Sequence, residues 1–337
     1  MEATGHYWRN LFATLVGWGY PVALLNPLVT RRHAEAELAR AKTDRADAES
    51  IARFLQEKRP APTPLPSDKT VALKELVQWR ERIVTDLVAK RNALHRLLDM
   101  VFPEFSSLVK DPTNQVALYL LDRWPLATQL AQLDPELLAQ AICDGRHHVG
   151  AKLAGALVRK AAKTVGRHPN SAYALRIKAT VAEVLLDQKH LAEVNKAIAD
   201  LLDDDEQAHL LKSIPGVGDV TAATFLSEVG DPSRCDNAKQ LVGFVGLAPK
   251  VSHSGKSTPL RGKMCKVGSK HLRPVLYMAA VAAIRCNPTI QAFYRRLCER
   301  GKPKRLAIGA CAAKLLHMMF AVLRRQKPYE VLLVSVA

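Results

Sequence analysis

Two long segments of this 337-residue chain carry apolar residues at the spacing of a long amphipathic helix. The first set is Leu73, Leu76, Ile83, Leu87, Leu94 and Leu97, and the second is Val181, Val184, Leu191, Val194, Ile198 and Leu201. Near-heptad spacing is typical of helices that pack along a common seam. The pattern predicts a coiled-coil middle region, and it fits an intramolecular hairpin and a contact between subunits equally well.

A proline-rich segment precedes the first of these helices, with prolines at 60, 62, 64 and 66. Repeated prolines cannot continue a helix and favour an extended spacer, which marks a domain boundary. Upstream, helix-like patterns at 8–16, 31–41 and 44–57 surround a strand-like run at 21–25. This alternation is typical of an α/β layer.

The sequence therefore predicts an α/β fold followed by a mainly α fold, in three parts. These are a first domain at 1–58, a helical linker and coiled-coil region at 59–205, and a helical C-terminal domain at 206–330.

The composition indicates a globular, basic protein, with 48% hydrophobic residues and a net charge of +17. Such a charge favours nucleic acid as the partner. The six cysteines have no C-x-x-C spacing, so neither a zinc site nor a disulfide framework is indicated. Apolar runs such as 279–284 are too short to span a bilayer, so we expect a cytoplasmic protein without membrane contact.

Basic residues are concentrated where acidic ones are absent, between Asp236 and Glu299. Ser254 and Gly255 lie at the centre of this window, among cations that could stabilise charge if a serine attacked a phosphate. The residues in that role are Lys250, His253, Lys256 and Arg261, and the further cations expected to contact nucleic acid are Lys263, Lys266, Lys270 and Arg273. By itself the Ser-Gly pair is a weak signal.

Residues 213–218, Ser-Ile-Pro-Gly-Val-Gly, have the form of a helix-hairpin-helix turn. Gly216 and Gly218 would expose backbone N–H groups at the start of the next helix, and such groups bind phosphate without reading sequence. A purely structural corner between two helices is the alternative.

Three carboxylates near the other end of the chain suggest a metal site. Glu2 opens the chain, and Asp44 and Asp47 share one face at the start of a helix. Hard oxygen ligands suit Mg²⁺, which supports phosphoryl chemistry. On spacing alone, a helix cap by Thr43 or Asp44, with Asp47 in the first turn, is the favoured explanation of the two aspartates.

Five motifs in order carry a family resemblance: Met-Glu-Ala-Thr-Gly-His-Tyr at 1–7, Asn-Pro at 26–27, Lys-Thr-Asp-Arg-Ala-Asp-Ala at 42–48, the turn at 213–218, and Gly-Leu-Ala-Pro at 246–249 followed by Ser-Gly at 254–255 and the basic run 266–273. Together they closely resemble the DEDD transposases of the IS110 family of bacterial insertion sequences. The resemblance covers both ends of the chain and leaves 60–205 without support.

The resemblance implies a RuvC-like domain of RNase H fold with four acidic Mg²⁺ ligands, a coiled-coil middle and a C-terminal transposase domain. Glu2, Asp44 and Asp47 match the second, third and fourth carboxylates, and Ser254 matches the nucleophilic serine. Family members cut and rejoin donor and target DNA through a serine-linked intermediate. They are guided by a structured RNA and act as homo-oligomers, dimers or tetramers, with composite active sites.

One departure affects this expectation, because the family's first aspartate lies on a strand upstream of the Glu-Ala-Thr-Gly motif. We therefore expect the first strands of the sheet to be missing and apolar surface to be exposed on the helices of 8–57. Two alternatives stay open: a catalytically defective nucleic-acid-binding fragment, and a Mg²⁺-dependent junction nuclease that forms no serine adduct.

Overall fold

The computed structural model describes residues 1–37, 43–145, 147–230, 235–248, 264–265 and 267–330. Within them the chain is mostly helical, which confirms the helical part of the predicted fold class. The chain divides into two compact units, Met1–Asp68 and Lys69–Ala337, called here the N-terminal and C-terminal units.

Three helices form the N-terminal unit: α1 (Trp8–Gly17), α2 (Pro27–Ala36) and α3 (Asp44–Lys58). Helix α2 begins where the Asn26 side chain accepts a hydrogen bond from Leu28 N–H, with proline at the first helical position. Helix α3 begins where Thr43 Oγ1 accepts from Ala46 N–H at 3.2 Å. Thr43 therefore serves as the cap predicted for this helix.

The strand expected at 21–25 is reduced to a single parallel bridge between Glu2 and Leu25 in the described residues. On one side, Ala3 N–H donates to Leu25 O at 2.9 Å. On the other side, Thr63 N–H donates to Val22 O at 2.8 Å. Because each edge pairs over so few residues, the segment is extended but does not form a ladder. The RuvC-like sheet that the resemblance implies stays a prediction.

Several large apolar side chains of the N-terminal unit face solvent in this structure. Tyr7 is 81% exposed and Trp18 is 72% exposed, whereas Phe12 and Leu25 are buried.

Thirteen helices form the described part of the C-terminal unit, starting with α4, which begins at the boundary residue. They are α4 (Asp68–Val101), α5 (Phe105–Leu108), α6 (Gln115–Arg123), α7 (Ala127–Leu130), α8 (Pro135–Gln140), α9 (Ala151–Ala162), α10 (Ser171–Leu202), α11 (Glu206–Lys212), α12 (Asp219–Val229), α13 (Ala238–Val245), α14 (Leu272–Cys286), α15 (Pro288–Glu299) and α16 (Lys304–Arg325). Their buried side chains form two cores. One core joins α5 to α9 with one half of α4 and α10, and the other joins the remaining halves with α11 to α16.

Helices α4 and α10, which carry the two sequence seams, run antiparallel beside each other within one chain. Lys90 Nζ lies 2.7 Å from Asp187 Oδ2. Nearer the other end, Arg80 Nε donates to Asn195 Oδ1 at 2.8 Å. The intramolecular hairpin is therefore the arrangement that this structure adopts.

An ion pair between Lys69 and Asp205, at 2.8 Å, lies at the end of this hairpin. Burial tends to raise the pKa of Asp205, but hydrogen bonds from Lys69 and the Ala208 N–H outweigh it, so the pKa lies below its usual value. A depressed carboxyl pKa stabilises the fold above the unfolded pKa of about 3.9, and this stabilisation is lost as the pH falls through the folded pKa.

We expect Lys69→Met to lower the free energy of unfolding by about 1 kcal/mol at pH 7. The difference from wild type should shrink as the pH falls towards 3, because protonation of Asp205 removes from the wild-type protein an interaction that the variant already lacks. Urea unfolding at the two pH values measures this, with Lys69→Arg as the charge-preserving control. A difference that is equal at both pH values would contradict the assignment.

Helix α16 contains a longer apolar stretch than the short runs on which the expectation of no membrane contact was based. An 18-residue window within Lys304–Arg325 has a mean hydropathy of 1.9, so the helix could cross a membrane by length and composition alone. Of that window, 56% is buried inside the protein, and Leu315, Leu316 and Met319 are fully buried. Since α16 packs on α13, α14 and α15, it occupies the position of a core helix.

Candidate functional site

A cleft of about 460 Å³ in the N-terminal unit brings two of the three predicted carboxylates to one place. Its lining comes from the first residues, α2 and α3, and comprises Glu2, Pro27, Thr30, Arg31, Ala34, Glu35, Ala46, Asp47, Ser50 and Ile51. Asp44 is exposed in the first turn of α3 and does not line the cleft. Glu2 and Asp47 thus share a pocket, and a metal-binding role for Asp44 stays a prediction.

Two threonines hold the Glu2 carboxylate in place. Thr30 Oγ1 donates to Oε2 at 2.6 Å, and Thr4 Oγ1 donates to Oε1. Thr30 is only 5% exposed and lies on α2, so the helix that Asn26 caps also fixes this carboxylate. Sequence reasoning missed Thr30, because no spacing rule relates it to a residue 28 positions earlier.

The donor set of the cleft suits a hard cation. Mg²⁺ is commonly bound by only one or two carboxylates, with water and substrate phosphate completing its octahedron. Besides Glu2 and Asp47, the cleft contains Ser50, whose Oγ is buried and has no hydrogen-bond partner among the described residues. A hydroxyl oxygen that has no hydrogen-bond partner in the described part of the chain, on a residue that lines the same cleft as two carboxylates, fits the binding of a hydrated divalent ion.

A second titratable cluster joins α2 to α3. His33, Glu37 and Glu57 place one ligand atom each within 4.8 Å of one another, which the three predicted carboxylates do not do. His33 Nε2 lies 3.6 Å from Glu37 Oε1, and Arg53 approaches the same carboxylate at 3.9 Å. Arg53 and the His33 ring both lie near Glu37, so these side chains join the two helices through charged and polar contacts.

The turn at 213–218 connects α11 to α12, and its two predicted glycines have different surroundings. Gly216 has a φ of +100°, and a Cβ there would lie 2.6 Å from Ala283 Cβ on α14. Gly218 has nothing within 4 Å of the Cβ position, so that side of the turn is open. Gly216 is therefore required for packing, and Gly218 leaves the backbone at the start of α12 accessible.

Asn287, which sequence reasoning did not single out, anchors this turn. It is only 1% exposed, its Nδ2 donates to Pro215 O at 3.3 Å, and its Oδ1 accepts from the N–H groups of Thr289 and Ile290. Thus one buried amide caps α15 and holds the turn on the core. The Asn-Pro pair at 287–288 is a cap signal that could have drawn attention to it.

Most of the basic segment lies outside the described residues, including Ser254 and the predicted cations Lys250, Lys256, Arg261, Lys263 and Lys266. The described residues that flank it are tied together. Cys265 N–H donates to Ala248 O at 2.9 Å, and Ser269 N–H donates to Phe244 O at 3.1 Å. The described residues on either side of the serine-bearing segment therefore lie together in the C-terminal unit.

Lys270 and Arg273, the described members of the predicted cation set, differ in their surroundings. Lys270 is exposed ahead of α14, and its contact with nucleic acid stays a prediction. The Arg273 guanidinium is half-buried, with its Nη1 3.5 Å from Val245 O and 2.7 Å from the position that a Cβ at Gly246 would take. Arg273 thus contacts the C-terminal end of α13, where the helix dipole favours a cation.

The window without acidic residues in sequence is not free of them in space. Ser269 Oγ donates to Glu228 at 2.8 Å, and the His271 ring contacts Glu81. Glu228 also lies 3.6 Å from Lys74. Helices α4 and α12 therefore bring two carboxylates to the edge of the basic segment, which the linear sequence did not reveal.

Comparison with known proteins gives two family matches. A transposase model of the DEDD type found in IS110 elements matches residues 1–103, and the transposase model of the IS116/IS110/IS902 family matches residues 208–295. Together they cover more than half of the chain.

Relatives extend the similarity along almost the whole chain. The pilin gene-inverting protein of Moraxella bovis is 26% identical over 331 residues, covering 98% of this chain and 81% of the relative. The transposase for insertion sequence element IS1111A of Coxiella burnetii is 26% identical over 340 residues, covering 98% and 78%.

The class that these matches define is the DNA-acting transposases and recombinases. Within that class, the chain belongs to the IS110 family of transposases.

Proposed function

We propose that this transposase cuts and rejoins DNA at insertion-sequence ends through a covalent bond to Ser254. In the first step Ser254 Oγ attacks a backbone phosphorus, the serine–phosphorus bond forms, and the bond from phosphorus to one deoxyribose oxygen breaks. The released oxygen takes up the serine's proton as a hydroxyl. In the second step a hydroxyl of another strand attacks the same phosphorus and regenerates the serine. One phosphodiester is exchanged for another, so no oxidant or energy source is needed.

The proposed metal site is the carboxylate cleft of the N-terminal unit. Glu2 and Asp47 line it together, and we assign Mg²⁺ binding to these two and to Asp44, which matches the family motif on the same helix face. When bound, Mg²⁺ supplies charge stabilisation at phosphate oxygens. Thr30 and Thr4 keep the Glu2 carboxylate oriented through their hydroxyl hydrogen bonds.

The open side of the turn at Gly218 and the exposed Lys270 are assigned to the DNA backbone. N–H groups at the start of α12 can donate to a phosphate, and Lys270 adds charge near the segment that carries Ser254. A structured guide RNA and a homo-oligomeric assembly complete the proposal, which takes both from the family resemblance.

The serine role predicts a covalent protein–DNA adduct. Incubation of the full chain with Mg²⁺, donor and target DNA and the RNA transcribed from the element's noncoding end should give an adduct that resists denaturant. We expect Ser254→Ala to abolish both the adduct and recombination, because no other group then forms the phosphoserine bond. Denaturing gels with end-labelled DNA measure the yield.

Two neighbouring serines provide matched controls. Ser252→Ala and Ser257→Ala remove the same hydroxyl group from the same segment and should leave adduct formation intact. An adduct that persists in Ser254→Ala and disappears in one of these variants would move the nucleophile to that position. Strand cleavage by Ser254→Ala at the wild-type rate would instead indicate water as the nucleophile, as in a junction nuclease.

A further inference from the structure

A second window without acidic residues lies in the helical middle of the chain, far in sequence from Ser254. Between Asp144 and Glu183 there is no aspartate or glutamate, and eight cations fall inside. They are Arg146, Lys152, Arg159, Lys160, Lys163, Arg167, Arg176 and Lys178. All except Arg146 belong to the part of the chain that the structure describes, on α9, α10 and the connection between them.

The seven described cations of this window are exposed, and one of them, Lys160, donates a hydrogen bond to Ser107 Oγ. Lys152, Arg159 and Lys163 are spaced by seven and four residues, so they form one stripe along α9 and its C-terminal end. Together with Arg167 they are all exposed, and among the described residues none lies within 4.0 Å of a carboxylate. By contrast, Lys90 on the neighbouring α4 contacts two carboxylates, Glu183 and Asp187.

The connection between α9 and α10 is held firmly, so these charges are presented from a fixed backbone. Glu104 accepts hydrogen bonds from Thr164 Oγ1 at 2.7 Å and from Val165 N–H at 3.0 Å. Gly166 lies against the end of α4, where a Cβ would be 2.3 Å from Val101 O. Because the Glu104 carboxylate accepts these hydrogen bonds from the connection, it forms no ion pair with Lys163 or Arg167.

The start of α10 adds to the positive potential. The N-terminal end of a helix carries partial positive charge, which acidic side chains commonly offset. Helix α10 has none in its first turn, and its cap is the neutral side chain of Asn170. Arg167 precedes this helix end by only a few residues. A concentration of like charge costs free energy in the isolated protein, and a polyanion bound there would remove that cost.

We infer that the surface formed by Lys152, Arg159, Lys163 and Arg167 is a second nucleic-acid-binding surface, which contacts the phosphodiester backbone at a site separate from the serine-bearing segment. The contact does not read base sequence, because it consists of exposed cations and a helix end. It goes beyond the cutting and rejoining of DNA, and binding there does not require Ser254.

The test measures binding as a function of salt concentration in the Ser254→Ala chain, in which covalent trapping does not interfere. A short duplex DNA of mixed sequence and an RNA stem-loop of similar length serve as separate probes. Each phosphate contact contributes about 0.9 to the slope of log K against log salt for duplex DNA, so Arg159→Gln, Lys163→Gln and Arg167→Gln together should reduce the slope by roughly 2 to 3. A reduced slope with only one of the two probes identifies which nucleic acid occupies the surface.

A matched triple variant controls for net charge. Arg82→Gln, Lys189→Gln and Lys196→Gln remove three exposed charges from α4 and α10 outside the window and should leave the slope nearly unchanged. The charge-preserving set Arg159→Lys, Lys163→Arg and Arg167→Lys should bind as the parent chain does. An unchanged slope with both probes, or an equal loss in the control triple, would overturn the inference. Circular dichroism verifies that each variant is folded.

Discussion

Gly216→Ala is expected to destabilise the C-terminal unit by about 3 to 5 kcal/mol, combining backbone strain with overpacking. At a φ of +100° an L side chain is strained, and its Cβ would lie 2.6 Å from Ala283 Cβ and 2.7 Å from Ala283 Cα. Backbone atoms of α14 cannot move away as the end of a flexible side chain can. Chemical denaturation followed by circular dichroism measures the loss.

Gly218→Ala is the matched control, two residues along the same turn. Its φ of −108° is ordinary for alanine, and the added methyl group meets no atom within 4 Å. We expect unfolding within about 0.5 kcal/mol of wild type. If the turn contacts a phosphate as proposed, DNA affinity should nevertheless fall, since the methyl group covers the open side. Equal destabilisation by the two variants would show that Gly216 does not pack closely against Ala283 of α14.

Asp47→Asn is expected to lower strand cleavage by about a hundredfold or more, a size typical of removing one group that stabilises transition-state charge. The carboxylate lines the same cleft as Glu2, and the amide keeps its shape while losing the charge that favours Mg²⁺. Cleavage rates over a Mg²⁺ titration should show a higher metal requirement as well as a lower maximum.

Two further carboxylates on α3 sharpen this experiment. Glu49→Gln removes an exposed charge, paired with Arg45, that does not line the cleft, and cleavage should be unaffected. Asp44→Asn distinguishes the two interpretations of that residue: a metal ligand gives a loss like that of Asp47→Asn, and a first-turn helix residue gives a result like that of Glu49→Gln. Wild-type cleavage by Asp47→Asn would place the metal elsewhere, with His33, Glu37 and Glu57 as the next group to replace.

Helix formation was largely predictable because it depends on local sequence. The pattern at 8–16 became α1, and the start at Asp44 and its Thr43 cap were both anticipated. The strand predicted at 21–25 is only a single bridge in the described residues, since a strand requires hydrogen-bonding partners elsewhere in the chain. The contacts of Glu2 with Thr30 and of Asn287 with Pro215 were likewise beyond sequence reasoning, because each joins residues far apart in the chain.

What the sequence determined by itself was the chemistry available to this transposase: the order of family motifs, the basic composition, and the carboxylates and serine that the proposed reaction needs. Only the tertiary structure decided how the two seams pair and that Asp47, but not Asp44, faces the cleft with Glu2. It likewise decided that carboxylates from α4 and α12 reach the basic segment. The reason is physical, since residue types and local spacing are written along the chain, whereas burial and electrostatic neighbours arise only when distant segments pack together.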